Sequence, residues 1–132
     1  MILDSSAIVA VLRRESPDAV CLKAIEQASE LRFSAASLLE TSIVLDNKGD
    51  NITSADLDFF LVNYSIQVEP VTEAQAKIAR VAHRQYGKGS GHPARLNFGD
   101  CFAYALARDR NEPLLFVGND FIHTDIRSAL PE

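Results

Sequence analysis

The sequence is poor in the residues that mark specialised or non-globular chains. It has no tryptophan, one methionine and two cysteines. Cys21 and Cys101 show neither a CxxC spacing nor a Cys/His pattern, so zinc is not expected. Both lie in apolar stretches and read as reduced core residues of a cytoplasmic protein. Six glycines and five prolines are too few for a fibrous or low-complexity chain. No apolar run approaches ~18 residues, so no membrane span is expected. Met1-Ile2-Leu3-Asp4 meets a carboxylate at once, unlike the basic start of a signal peptide. Basic residues are also in deficit, 13 against 18 acids, for a net charge of −5. Such a chain is no passive nucleic-acid coat. Any contact with nucleic acid must be local, through a basic patch or a metal ion.

What is present is a foldable mixture, 47% hydrophobic and 23% charged, and 132 residues predict one domain over residues 1–132. Ile2-Leu3 is a short apolar run. Ser5-Ser6 can cap a helix through Ala7–Arg13, and Pro17 suits the first turn of a second helix. Leu31–Ala35 reads as a strand, followed by a helix over Ala36–Lys48 that ends at Gly49. Thr53 opens a helix with Leu57, Phe60, Leu61 and Tyr64 as its core stripe and Phe59 and Val62 as a second apolar side. Ile66–Val68 is the next strand. Thr72-x-x-Gln75 resembles a capping box, opening a helix with Ala74, Ile78, Val81, Ala82 and Tyr86 inward. Gly87–Arg95 is a loop, Asn97 caps a helix to Asp109, and Leu114–Val117 is a strand turned by Gly118-Asn119. Short apolar strands alternating with helices predict an α/β fold, with a parallel sheet of four or five strands covered on both faces.

In open α/β sheets, ligands bind beyond the carboxyl ends of the strands. Four acids fall at that edge: Asp4, Glu40, Asp100 and Asp120. Singly, each has an ordinary role as cap, solvated helix residue, dipole partner or turn acid. Together they are a problem, because two carboxylates ~5 Å apart repel by roughly 3 kcal/mol at an effective dielectric of about 20. Protons or a hard divalent cation must compensate. An oxygen-only donor set favours Mg²⁺, with Mn²⁺ as an alternative, and such an ion suits phosphodiester hydrolysis by direct attack of water.

Ile2-Leu3-Asp4-Ser5-Ser6-Ala7, Ala36-Ser37-Leu38-Leu39-Glu40, Leu96-Asn97-Phe98-Gly99-Asp100-Cys101-Phe102-Ala103-Tyr104-Ala105 and Gly118-Asn119-Asp120-Phe121 resemble the PIN-domain ribonucleases. More narrowly, they resemble VapC toxins of bacterial toxin–antitoxin pairs. The resemblance implies a PIN-like three-layer sandwich and Mg²⁺-dependent endoribonuclease activity. By that match Asp4, Glu40, Asp100 and Asp120 form the catalytic site. Asp4 and Asp100 are the metal ligands, and the Ser6 hydroxyl supports Asp4 from behind. It also implies a homodimer silenced by a cognate antitoxin, with the helix carrying Phe59, Phe60 and Val62 as a contact surface or as core.

Lys77, Arg80, Arg84 and Lys88 recur along one helix face into the Gly-rich loop, where His92 and Arg95 add donors. This stripe can hold RNA phosphates, or it is a solvated face with Glu73 pairing Lys77. A rival metal-free ribonuclease would use His83, His92 and His123, which no spacing groups. The non-enzyme alternative is a catalytically silent module that binds RNA or an antitoxin.

Overall fold

The structure, a computed structural model, describes residues 1–47, 49 and 51–131. The chain runs β1 (Ile2–Leu3), α1 (Ser5–Arg13), α2 (Asp18–Gln27), β2 (Arg32–Ser34), α3 (Ala35–Asn47), α4 (Ser54–Asn63), β3 (Gln67–Glu69), α5 (Glu73–Tyr86), α6 (Phe98–Arg110) and β4 (Leu114–Leu115). The strands form one parallel sheet in the order β3-β2-β1-β4.

Side chains alternate across a strand, and the core divides accordingly. Ile2 and its register partner Leu114 face a core built from α5 and α6. Leu3, its partners Phe33 and Leu115, and residues of α1, α2 and α4 form the core on the opposite face. Helices therefore cover both faces, giving the three layers expected. The edge strand β3 departs from that pattern: Gln67 and Val68, which point to opposite faces, are both exposed.

Several boundaries differ from the sequence reading for local reasons. Asp4, not Ser5 or Ser6, caps α1. Pro17 stands before α2 as its cap residue rather than in its first turn. The predicted end of α3 at Lys48 lies outside the described residues. β4 stops at Leu115 because the Val117 N–H turns to donate to Ser6 Oγ, at 3.0 Å, instead of extending the ladder. Thr72 accepts from Gln75 N–H at 3.1 Å, but the Gln75 side chain turns inward to donate to Asp109 at 3.1 Å and leaves the box half made. That choice rotates α5. Gln75, Ile78, Ala79, Ala82 and Tyr86 face the core, and Ala74 and Val81 are exposed. On α4, Phe60 is core, whereas Phe59 and Val62 are 73% and 79% exposed. Cys21 and Cys101 are free and buried, as expected.

Charges gather at the amino ends of the strands. The Met1 ammonium pairs with Glu112 at 2.6 Å, and Arg32 bridges Glu30, Glu69 and Glu112. The Met1 ammonium and Arg32 outweigh burial and hold Glu112 below its ordinary carboxyl range. Asp4, Glu40, Asp100 and Asp120, toward the opposite edge of the sheet, have no such partners among the described residues.

Candidate active site

β1 ends by delivering Asp4 into the start of α1, and the Asp4 N–H stays on the sheet through Leu115 O at 2.9 Å. Asp4 Oδ2 accepts from Ser6 N–H at 3.1 Å and from Ser6 Oγ at 2.5 Å. Ser6 Oγ in turn accepts the Val117 N–H, so one hydroxyl ties Asp4 to the exit of β4. The chain then turns at Gly118, whose φ of 96° suits glycine, and presents Asp120. Phe121, 1% exposed and packed on Phe116 with ring centroids 5.2 Å apart, anchors the far side of that turn. Asp120 itself is exposed.

Glu40 lies in the second turn of α3, where Ser37, Thr41 and Leu45 face inward. Its apolar neighbours Leu39 and Ile43 do not shield it, being 62% and 51% exposed. Glu40 is half-buried for another reason. Ser5 Oγ donates to its Oε1 at 3.1 Å, and its carboxylate lies against Gly99, where a Cβ would collide with Oε2. Asp100 sits at the third position of α6 in a reciprocal cap. Its N–H donates to Asn97 Oδ1 at 2.8 Å, and its Oδ2 accepts from the Asn97 N–H at 3.0 Å.

These four acids share one field. Burial pushes Asp4 up to about 6 against the hydrogen bonds from Ser6, and Glu40 and Asp120 add repulsion. Burial pushes Asp100 up to about 7 against the Asn97 N–H, with repulsion from Asp120, Asp4 and Glu40. Among the described residues none of the four pairs with a cation. They do not form a finished cage, since among the described residues no three acidic, imidazole or thiol groups stand arranged to hold a metal ion. The donor set nonetheless suits a hard divalent cation: oxygen only, two members desolvated, and no countercharge paired with them among the described residues.

Two contributors were missed in the sequence. Ser5 was read only as a helix cap, and its hold on Glu40 spans 35 positions. Gly99 was not singled out, although a glycine in the first turn of a helix, next to a candidate acid, signals close approach.

A basic surface adjoins this edge. Arg80, Arg84, Lys88 and Arg95 are exposed, while Lys77 pairs with Glu73 at 3.9 Å. The loop 87–96 is closed by hydrogen bonds from Lys88 N to Leu96 O at 2.8 Å and from Leu96 N to Tyr86 O at 2.9 Å. His92 Nδ1 accepts from the Ala94 N–H at 3.1 Å, and its ring stands edge-on to Tyr86.

The PIN domain family model matches residues 1–127. The chain belongs to the PIN-domain family. Within it, this PIN domain is 54% identical over 130 residues to ribonuclease VapC28 of Mycobacterium tuberculosis, covering 98% of both chains. It is 48% identical over 129 residues to ribonuclease VapC42 of the same species, again covering 98% of each. Among solved structures, M. tuberculosis VapC20, described as a sarcin–ricin loop cleaving toxin, superposes with TM-score 0.67 at 17% identity, covering 96% of this chain and 98% of that one. FitAcB of Neisseria gonorrhoeae superposes with TM-score 0.67 at 17% identity, over 96% and 94%. These structures place the PIN fold. The curated relatives place the chain among proteins named VapC ribonucleases. No helix among the described residues is long and apolar enough to cross a membrane.

Proposed function

We propose that this PIN domain is a Mg²⁺-dependent endoribonuclease, the toxin of a toxin–antitoxin pair, that hydrolyses RNA phosphodiesters by direct attack of water. The observation that carries the reading is the convergence of Asp4, Glu40, Asp100 and Asp120 in one field, with none of them paired to a cation among the described residues. Asp4 and Asp100 would hold the ion through the carboxylate oxygen that Ser6 and Asn97 leave free. When bound, Mg²⁺ supplies charge to neutralise phosphate oxygens and lowers the pKa of water. Ser6 fixes the Asp4 carboxylate, Ser5 fixes Glu40, and Asp120 reaches the edge from the opposite loop. Arg80, Arg84, Lys88, His92 and Arg95 offer a track for RNA phosphates that brings substrate to an otherwise acidic protein. The remaining partners under this reading are a cognate antitoxin and a second copy of the chain, with Mn²⁺ able to replace Mg²⁺ in a cytoplasmic protein. Exposed Phe59 and Val62 provide apolar surface for a protein partner.

Incubating total RNA with the protein in Mg²⁺ or in chelator, followed by end mapping, tests the reading. Discrete cuts in Mg²⁺ alone, leaving 5′-phosphates, are expected. Cyclic phosphates that form in chelator would instead favour histidine chemistry. Binding without cleavage in either condition would leave a silent module.

Gly99→Ala gives a second check. Alanine should favour the α6 helix by up to about 1 kcal/mol, so the melting temperature should hold or rise. Its Cβ must displace the flexible end of Glu40, however, and cleavage should fall ~10–100-fold, as when support around a metal site is lost. Unchanged cleavage would detach Glu40 from the chemistry.

A further inference from the structure

We infer that the cavity on the α5 side of Phe98 is a nucleotide subsite, where one RNA base stacks on the Phe98 ring while the adjoining phosphate meets Arg80. The inference rests on the ribonuclease reading and adds to it the residue that sets the position of the RNA chain.

Phe98 is the first residue of α6, two before Asp100, and is 78% exposed. With Leu39 and Ile43 also exposed beside it, Phe98 belongs to an apolar patch next to the acidic site, and such a patch marks a place of contact. The ring is not loose. Phe102 meets it edge-to-face, with centroids 4.9 Å apart and ring planes at 89°. That contact uses the edge of one ring against the face of the other and leaves Phe98 a free flank.

Two cavities flank the ring, and they differ in charge. One, of about 430 Å³, is lined by Leu39, Ile43, Phe98 and Phe102 and includes Glu40. The other, of about 260 Å³, is lined by Ala76, Ala79, Arg80 and His83 together with Phe98 and Phe102. An apolar slot alone suits any hydrophobic guest. A nucleotide is a flat, polarisable ring joined to an anion, and only the second cavity matches both parts. The alanines keep its wall low, so that a ring can lie against Phe98. Arg80 and His83 help to line it, and neither side chain forms an ion pair among the described residues. The cavity beside Glu40 would instead repel a phosphate.

Single-stranded RNA is commonly held in this way, with bases on aromatic faces and phosphates on arginine. Because Phe98 and Asp100 share the first turn of α6, the stacked base would belong to a nucleotide close to the phosphate under attack. A position read by stacking accepts every base, so this subsite would fix the register of the chain rather than its sequence.

The test uses the full chain carrying Asp100→Asn, which keeps RNA intact, and a short single-stranded oligoribonucleotide with one 2-aminopurine. Fluorescence quenching reports stacking, and a series of oligonucleotides each lacking one base reports its energetic weight. We expect quenching on binding, and roughly tenfold weaker binding when one particular base is removed. With Phe98→Leu added, quenching should vanish and that base deletion should cost nothing further, while Phe98→Trp should restore both. Arg80→Gln in the otherwise wild-type enzyme should raise KM with little change in kcat. A thermal melt of the leucine variant guards against misfolding. The proposal is overturned if the base-deletion series is flat, if Phe98→Leu binds and quenches as Phe98 does, or if the oligonucleotide does not bind. Failure of the ribonuclease reading shows elsewhere, as wild-type protein that cuts no RNA in Mg²⁺ while the stacking signal persists.

Discussion

Asp100→Asn is expected to lower RNA cleavage by well over ~100-fold, beyond what losing an outer supporting group costs, and to raise the stability of the metal-free protein. The two effects have one cause. Asp100 is 9% exposed and feels repulsion from Asp120, Asp4 and Glu40, so its ionised form is unfavourable without a counterion. An amide has nearly the same shape, and its oxygen can still accept the Asn97 N–H that closes the cap of α6. The substitution removes charge and leaves structure. About 2 kcal/mol of stabilisation at pH 7.5 is a reasonable scale, equivalent to a rise of roughly 5–10 °C in Tm. A variant that cleaves at the wild-type rate would defeat the nuclease proposal. One that loses cleavage and also melts early would show Asp100 to be structural.

Much of this arrangement was legible because it depends on local chemistry. The alternation of short apolar runs with helices gave the parallel sheet, and the division of Ile2 from Leu3 between two cores follows from strand geometry. Asn97 and Asp100 three residues apart gave a cap and a candidate acid together. What was not legible depends on distant partners. Thr72-x-x-Gln75 satisfies the local pattern, yet Gln75 is drawn inward by Asp109, 34 positions away, and α5 turns with it. Leu114–Val117 looks like one strand, but the Ser6 hydroxyl takes the Val117 N–H and ends it early. Ser5 and Gly99 act on Glu40 through contacts that no sequence period records. The acidic edge itself could be placed from topology, whereas the contacts that aim Glu40 had to be seen.

Chelation should abolish cleavage, and Mg²⁺ should largely cancel the pH dependence of stability. Without metal, Asp4 and Asp100 bind protons in the folded protein up to about 6 and about 7. In the unfolded chain they release them near ~3.9. Between those values the folded state carries more protons than the unfolded one, so unfolding free energy falls as pH rises. Metal-free protein should therefore lose on the order of 3 kcal/mol between pH 5 and pH 7.5, less than the two groups would give separately because they repel each other. Below that window Glu112, held low by Met1 and Arg32, begins to act in the opposite direction. Under the proposed function Mg²⁺ would compete with those protons for the same oxygens and bind only the folded protein. At a hundred times its dissociation constant it adds ~2.7 kcal/mol. The gain should be largest at pH 7.5, where the carboxylates are free, and small at pH 5. Melts across this range with Mg²⁺ and with chelator, on wild type and Asp100→Asn, separate the contributions. The variant should show both a flatter pH profile and a weaker response to Mg²⁺. Equal melting temperatures for wild type with and without Mg²⁺ at pH 7.5, together with cleavage that survives chelator, would mean that the acids are balanced by protons alone and that the chemistry needs no metal.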